Sequence, residues 1–386
     1  MKKLIRFIRN ETVLSISLIL ALLSSLIVHP DREYLTYVDV RTLAILFCLM
    51  AVMAGLQSLG VFRLVAGKLI GRVKRPGELV LILIMLCFFF SMVITNDVAL
   101  ITFVPFTFTV LRLLGEEQAD RLVIPTVVMQ TVAANLGSMF TPIGNPQNLY
   151  LFGLSGMGTG QFLMLMLPYT LLSLFLLVIW CVRQGYQFGR MSDCGNCKYS
   201  LSGLKAQEQV SLKGNGRKLV LYALLFLLSL LTVAQIVPYQ LTLVLVVSGI
   251  IILDRRILGS VDYSLLVTFV GFFIFIGNMG RIPAFRSFLE KIISGHETLT
   301  GIAASQVISN VPAALLLSGF TRDIKALIVG TNLGGLGTLI ASMASLISFK
   351  YIGREKKSLR GPYLLYFTVA NVCFLVALTV MFVVIC

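Results

Sequence analysis

The sequence predicts an all-α polytopic membrane protein with two inverted-topology repeats, each containing a re-entrant hairpin and a broken transmembrane helix. The chain of 386 residues is 57% hydrophobic and only 13% charged, a balance that soluble domains of this length do not tolerate. The polar, glycine-containing stretch 135–148 recurs as 332–345, with Asn, Leu, Gly, Thr and Ile in the same places and no gap. A shorter match precedes each copy, 94–97 against 308–311. Paired interruptions of this kind in two halves of a membrane protein indicate a transporter binding site.

The hydrophobic segments are interpreted as helices, because a helix satisfies its own backbone groups in lipid. They cover 13–28, 40–58, 79–94, 97–112, 122–148, 162–182, 219–236, 240–253, 262–280, 299–318, 324–348 and 362–385. The first segment follows a basic N-terminus and resembles a signal peptide in composition. It is interpreted as a retained span, because no small-residue cleavage motif follows it.

The basic residues predict a cytoplasmic N-terminus. If 79–112 and 299–318 are hairpins that return to the side they start from, most of the 32 Lys and Arg residues fall on one side. That side is expected to be the cytoplasmic face of the cell membrane. The net charge of +15 then reflects orientation, and no basic stripe with interleaved aromatic residues indicates nucleic-acid binding.

The second hairpin is predicted to be re-entrant from its length. The segment from Leu299 to Ile308 makes about 15 Å of helix, half of a hydrocarbon core of about 30 Å. That arm cannot cross. If the repeats are related, the first hairpin does not cross either, and Asn96 and Asn310 lie near the middle of the membrane.

The inversion is predicted from two aspartates that open spans at equivalent places. Asp39 begins a span that ends near Phe62, and Asp262 begins one that ends near Phe285 at the same spacing. The two spans run in opposite directions, which predicts a pseudo-two-fold axis in the membrane plane.

The predicted domain organisation follows from this relation. Its parts are an N-terminal transmembrane helix (1–38), a first inverted repeat (39–182), a cytoplasmic linker (183–218) and a second inverted repeat with its preceding helices (219–386). The amphipathic segments 63–75 and 283–293 are expected along the membrane interface. The linker carries a single CxxC, Cys194 and Cys197, which favours an ordinary loop over a metal site.

Asp97 is the carboxylate predicted to lie deep in the membrane. A buried ionisable group in lipid is costly and indicates function, so Asp97 is a candidate to bind Na⁺ or carry a proton. The alternative is structural: Asn96 and Asp97 precede a helix and can cap its free amides. Both roles can hold at once.

The broken helices offer two kinds of ligand. A helix N-terminus at mid-membrane suits an anion, and the carbonyls of a helix C-terminus suit a cation. Because no Lys or Arg is predicted mid-span, an anion would be held by helix ends and neutral side chains. The glycines of the recurring stretch, such as Gly334, and the prolines Pro142 and Pro146 allow the helix to unwind. Packing through small residues is the alternative, and the paired recurrence favours a site.

Four motifs identify a resemblance. They are 91–99 (Ser-Met-Val-Ile-Thr-Asn-Asp-Val-Ala) followed by Pro105, 141–148 (Thr-Pro-Ile-Gly-Asn-Pro-Gln-Asn), 309–313 (Ser-Asn-Val-Pro-Ala) and 330–334 (Gly-Thr-Asn-Leu-Gly). They resemble the hairpins and unwound helices of the ion transporter superfamily. That superfamily includes divalent-anion:sodium symporters, citrate–metal symporters, arsenite permeases and one group of sodium/proton antiporters.

The resemblance implies an elevator-type secondary transporter, usually a homodimer. The substrate-binding residues it implies, together with the unwound stretch, are Thr95, Asn96, Thr141, Pro142, Asn145, Ser309, Asn310 and Thr338. The ion-binding or proton-carrying residues it implies are Asp97, Asn96, Gly137, Asn310 and Gly334. Asp97 and Val311 stand where the symporters have tip threonines, and Asn-Asp at the first tip is closer to the arsenite-permease and citrate groups.

We therefore expect a secondary active transporter that couples Na⁺ or H⁺ to movement of a small anion or organic acid of the di- or tricarboxylate class. The alternative is an arsenite or antimonite efflux permease, or a Na⁺/H⁺ antiporter, in which Asp97 cycles a proton. An enzyme is not expected, because no nucleophile–base pair or metal-ligand cluster such as HExxH appears. The expected partners are the small anionic substrate, the coupling cation, the lipid bilayer and a second copy of the chain, with no cofactor and no resident metal.

Overall fold

The computed structural model describes residues 11–70, 76–191 and 216–385, which are helical and contain no β-strand. The α-helices in chain order are α1 Thr12–Ile27, α2 Tyr34–Tyr37, α3 Val40–Ser58, α4 Val61–Ile70, α5 Pro76–Ile94, α6 Asn96–Arg112, α7 Glu116–Ser138, α8 Pro146–Ser155, α9 Thr159–Met191, α10 Gly216–Val233, α11 Tyr239–Asp254, α12 Tyr263–Gly280, α13 Pro283–Ile293, α14 Glu297–Ile308, α15 Asn310–Ser318, α16 Ile324–Leu333, α17 Met343–Glu355 and α18 Arg360–Ile385. Short 3-10 helices cover Arg255–Ser260 and Lys357–Leu359.

The predicted polytopic membrane character is confirmed by helix length and composition. Six of the described helices are long and apolar enough to cross a membrane: Val40–Ser58, Gly77–Ile94, Thr159–Gln184, Gly216–Val233, Tyr263–Gly280 and Lys357–Ile385. The N-terminal helix α1 is apolar but shorter. Many of its large side chains, including Leu22 and Leu26, are exposed, as expected of a helix that faces lipid.

Helical structure extends into both ends of the predicted linker 183–218. Helix α9 continues to Met191 and α10 begins at Gly216. The centre of the linker, with Cys194 and Cys197, lies outside the described residues. The basic N-terminus and residues 71–75 of the first predicted amphipathic segment also lie outside them.

The two predicted hairpins are present, and each turns at a single residue. Thr95 joins α5 to α6 and has φ 73°. Ser309 joins α14 to α15 and has φ 74°. A residue other than glycine rarely adopts a positive φ, and such strain concentrates at functional sites.

The two hairpins differ in length. The arms α14 and α15 have 12 and 9 residues, whereas α5 and α6 have 19 and 17. The short second hairpin agrees with the prediction. The first hairpin does not share that shortness, and α5 is long enough to cross by length.

The two recurring stretches interrupt helices, as predicted. Helix α7 ends at Ser138 and α8 begins at Pro146, and α16 ends at Leu333 while α17 begins at Met343. Proline at the first position of α8 suits a helix start, since its missing N–H would have no partner there. Helices α5 and α6 pack against α7, and α14 and α15 pack against α16. Each helix that follows a break packs against the opposite hairpin, α8 on α15 and α17 on α6.

A second group of helices flanks this assembly. Helices α10 and α11 pack on α3, and α1 packs on α12. Helices α3 and α12 begin identically: Asp39 Oδ1 accepts from the amide of Thr42 at 3.0 Å, and Asp262 Oδ1 accepts from that of Leu265 at 3.0 Å. The aspartates that were predicted to open these spans are therefore their N-caps.

Candidate substrate and ion site

Each hairpin tip makes the same backbone hydrogen bond to a broken segment. The amide of Asn96 donates to the carbonyl of Gly144 at 3.1 Å, and the amide of Asn310 donates to the carbonyl of Ala341 at 2.9 Å. Gly144 and Ala341 occupy the same place in the two copies of the recurring stretch. The bonds fix each strained tip against an unwound backbone.

Each tip asparagine is the first residue of its helix and accepts a hydrogen bond from the next backbone amide. Asn96 Oδ1 accepts from the amide of Asp97 at 2.9 Å, and Asn310 Oδ1 accepts from the amide of Val311 at 3.0 Å. Asn96 and Asp97 were expected to bind the free amides at the start of this helix, and in this hydrogen bond Asn96 does so. Both asparagines are buried.

A buried network of asparagines joins the two halves at the helix breaks. Asn135 Oδ1 accepts from Asn96 Nδ2 at 3.1 Å and from Ser342 Oγ at 2.9 Å. At the matching place in the other copy, Asn332 Oδ1 accepts from Asn145 Nδ2 at 3.2 Å. We call Asn96, Asn135, Asn145, Asn148, Asn332 and Ser342 the asparagine network, in which Asn332 Nδ2 also donates to Asn148 Oδ1 at 2.6 Å.

Sequence reasoning named only part of this network. Asn96 and Asn145 were predicted as site residues, whereas Asn135, Asn148, Asn332 and Ser342 were not. Asn135 and Asn332 are the first residues of the two copies. Their recurrence in register was the signal that could have identified them.

The threonines of the recurring stretch bind hairpin backbone. Thr141 Oγ1 donates to the carbonyl of Met92 at 2.5 Å, and Thr338 Oγ1 donates to that of Gln306 at 3.0 Å. Both carbonyls belong to the last turn of a first hairpin arm, where carbonyls lack helical partners. These hydroxyls therefore hold each hairpin to its broken segment. Thr338 is exposed, whereas Pro142 is buried.

Gly137 and Gly334 lie where a helix crosses a hairpin arm. A Cβ on Gly137 would lie 2.0 Å from the carbonyl oxygen of Phe88, and one on Gly334 would lie 2.6 Å from Oγ of Ser305. Close packing through small residues, which was the alternative interpretation of the glycines, is seen at both places. Their carbonyls accept from the amide of Phe140 and from Gln306 Nε2 respectively.

Asp97 faces a cavity of about 190 Å³ beside the first hairpin tip. Its Oδ1 atom is buried and has no hydrogen-bond partner among the described residues. The cavity is bounded by apolar side chains of α3 and by the tip and the start of α8, including Thr95, Asn145 and Pro146. Thr95, Asp97 and Asn145 are thus the predicted site residues that line this cavity.

The cavity reaches the surface at the start of α12. Ser260 and Asp262 line it, and both are exposed. They follow Arg255 and Arg256, which lie on the predicted cytoplasmic side. Within the described part of the chain, Asp97 and Asp262 are the charged residues among the lining, with no Lys or Arg. This charge favours a cation or a neutral group over an anion near Asp97.

The predicted residues of the second hairpin lie apart from the cavity. Ser309 and Asn310 are buried where the second tip contacts the other broken segment. Ser309 Oγ donates to the carbonyl of Ala341 at 3.4 Å. No group of three or more His, Cys, Asp or Glu side chains with metal-binding geometry occurs among the residues that the structure describes.

The chain is similar in sequence to known membrane transporters. The sequence profile of the family described as "Citrate transporter" matches residues 3–325. The chain is 31% identical over 333 residues to inner membrane protein YbiR of Escherichia coli, covering 85% of this chain and 84% of that one. It is 31% identical over 337 residues to the uncharacterized transporter MJ0456 of Methanocaldococcus jannaschii, covering 87% of each. A 197-residue match at 28% identity to the silicon efflux transporter LSI3 of rice covers 50% of this chain and 38% of that protein.

Proposed function

This chain belongs to the citrate transporter family, and we propose that it is a secondary active transporter that couples Na⁺ or H⁺ to movement of a small anion or organic acid. The di- and tricarboxylates are the first candidates. The observation that carries the proposal is the meeting of the two helix breaks in buried contacts between asparagines, with a strained hairpin tip bonded to each break and a cavity that contains Asp97 beside the first tip. Irregular backbone at membrane depth is tolerated where it lines a cavity or is buried in protein.

We propose further that the two halves are inverted repeats, and that part of each half moves against a fixed scaffold in an elevator-type cycle. Three matched pairs of contacts support this: the tip amides on Gly144 and Ala341, the threonine hydroxyls on the first arms, and the two glycine crossings. Under that arrangement the moving unit comprises α5 to α8 and α14 to α17. Helices α3 and α10 to α12 form the scaffold. A homodimer remains the expected assembly.

Asp97 is the proposed coupling residue. Its unpartnered oxygen faces a cavity that reaches the predicted cytoplasmic surface, so Na⁺ or H⁺ can arrive from that side. The second hairpin carries the apolar Val311 at the matching position. The proposed carboxylate ligand of the coupling ion therefore belongs to the first hairpin.

A second candidate is efflux of a neutral hydroxide such as arsenous or antimonous acid, or Na⁺/H⁺ exchange. The lining favours it, because two carboxylates and no basic residue face the cavity among the described residues. The relative named as a silicon efflux transporter is consistent with a hydroxylated substrate.

A thermal-stability panel on the purified protein tests the proposal. Citrate, malate, succinate, sulfate and arsenite are each added with Na⁺ or K⁺ at several pH values, since a ligand that binds the native state raises apparent stability. We expect a shift with at least one acid that depends on Na⁺ or on pH and is lost in Asp97→Asn. The matched control is Asp323→Asn. Asp323 is an exposed helix cap, and the side-chain oxygen of the new asparagine can still accept from the backbone amide of Ala326.

The outcomes separate the candidates. A carboxylate shift that depends on Na⁺ supports a symporter. A shift with arsenite alone supports the efflux permease. No shift with any solute, at any pH and with either cation, would contradict both.

A further inference from the structure

Gln147 is a fully buried amide without a hydrogen-bond partner. It is the second residue of α8 and has no exposed surface. Neither its Oε1 nor its Nε2 has a partner among the described residues. A buried polar atom left unpaired costs about 1–3 kcal/mol, and buried polar groups are nearly always satisfied in native proteins. Two unpaired atoms on one side chain therefore call for a partner that the described residues do not supply.

The position of Gln147 places it beside the second hairpin. On a helix, residues three and four apart share a face, so Gln147 shares a face with Tyr150. Tyr150 reaches Ser318 of α15, with 3.0 Å between their hydroxyl oxygens, and its ring packs against Phe273 of α12. Gln147 precedes Tyr150 by about one helical turn and therefore lies nearer to the helix break at Asn145. Its neighbour Asn148 belongs to that network.

The two helices that follow the breaks, α8 and α17, differ in the polarity of one matched residue. The counterpart of Gln147 in the second copy is Ala344 on α17. Helix α17 packs against α6, which carries Asp97, and α8 packs against α15, which carries Val311. Each pair of packed helices thus carries one polar and one apolar residue at these matched positions: Asp97 with Ala344, and Gln147 with Val311.

The chemistry of the amide restricts its ligand. Nε2 donates and Oε1 accepts, so a fully ionised carboxylate would pair with Nε2 and leave Oε1 unpaired. A protonated carboxyl group offers one O–H donor and one acceptor oxygen side by side, which matches both atoms. Two adjacent hydroxyls of a neutral oxyacid offer the same pair.

We propose that Gln147 is a substrate-binding residue that recognises a neutral acid group, either a protonated carboxyl or a neutral hydroxide such as arsenous acid. The inference rests on the proposed transport function and deepens it, since it assigns the protonation state of the substrate at the second hairpin.

The first test needs no ligand. Replacement of an unpaired buried amide by an apolar side chain of similar size removes a desolvation cost, so Gln147→Leu is expected to keep or raise the melting temperature of the unliganded protein. A clearly lower melting temperature would mean that ordered water or protein groups satisfy the amide, and would overturn the proposal. Gln161→Leu, at an exposed position that contacts the amide of Gly158, is the matched surface control.

The second test is ligand affinity against pH, for carboxylic acids of different pKa and for arsenite. For each carboxylic acid, affinity per total ligand is expected to rise as the pH falls, with a midpoint that follows the pKa of that acid. Added arsenite is present as neutral arsenous acid over this range, so its affinity is expected to show no such midpoint. Gln147→Leu is expected to weaken binding about tenfold, which corresponds to about 1.4 kcal/mol, while Gln161→Leu binds as the wild type does.

The outcomes distinguish the inference from the function it rests on. Binding with one shared midpoint for all acids, unchanged in Gln147→Leu, would place the titrating group on the protein. That result overturns the inference and leaves transport intact. No binding of any solute by the wild type would overturn both. Which solute binds decides between the carboxyl and the hydroxide.

Discussion

Asn135→Ala is the perturbation that tests whether the asparagine network holds the two halves together. Asn135 Oδ1 accepts from Asn96 Nδ2 in the first half and from Ser342 Oγ in the second, and all three residues are buried. Truncation leaves both donors without this acceptor. At about 1–3 kcal/mol for each unsatisfied buried group, the cost is about 2–6 kcal/mol. We expect the lower half of that range, because a water can enter the space left by the amide.

A double-mutant cycle with Ser342→Ala isolates the contact between the halves. The assay is equilibrium unfolding of the purified protein in mixed micelles, measured by circular dichroism for the wild type, both single variants and the double variant. Groups in direct contact are expected to couple by about 0.5–3 kcal/mol. Additivity within about 0.5 kcal/mol would refute the reasoning. The control is Asn371→Leu, because Asn371 Nδ2 bonds only within its own helix and its Oδ1 has no partner among the described residues.

Three further predictions concern packing, a surface ion pair and a hairpin contact. Gly137→Ala is expected to cost about 1–3 kcal/mol, because the new methyl group meets a backbone oxygen that cannot rotate away. Gly249→Ala, whose methyl group would meet flexible side-chain carbons at 3.3 Å or more, is expected to cost less in the same unfolding assay. Arg281 lowers the pKa of Asp31 through a 2.6 Å hydrogen bond, so Arg281→Gln is expected to lower stability at neutral pH. Because the folded pKa is depressed, that difference is lost as the pH falls below the ordinary value of 3.8, and a melting curve at each pH shows it. Thr141→Val is expected to loosen the first tip, seen as faster amide hydrogen exchange in residues 92–97 than in the wild type, and equal exchange would contradict the contact with Met92.

The fold was predictable where the chain interrupts its own hydrophobicity. The recurrence of 135–148 and 332–345 predicted both helix breaks, and the matches at 94–97 and 308–311 predicted both hairpin tips. Proline, glycine and asparagine act locally, so their effect on a helix can be inferred without knowing what packs against it. Asp39 and Asp262 marked helix starts for the same reason.

The contacts across the halves were not predictable in this way. The partners of Asn135 and Asn332 lie far along the chain, and no local rule selects them. The first hairpin was expected, by analogy with the second, not to cross the membrane, whereas α5 is long and apolar enough to cross one. Thr141 and Thr338 were predicted as substrate-binding residues, and the contacts of their hydroxyls with hairpin carbonyls were not foreseen. Gln147 appeared in a recognised motif, but the absence of a hydrogen-bond partner for its amide among the described residues depends on the tertiary structure and could not be predicted locally.

The most direct test of the account is gradient-driven uptake into proteoliposomes by the wild type and by Asp97→Asn, with the solute identified in the stability panel. An imposed Na⁺ or pH gradient is expected to accelerate uptake by the wild type. Asp97→Asn is expected to retain exchange of labelled for unlabelled solute and to lose the acceleration, because the carrier still moves but no longer binds the coupling ion. Equal acceleration in the two proteins would contradict the assignment of coupling to Asp97.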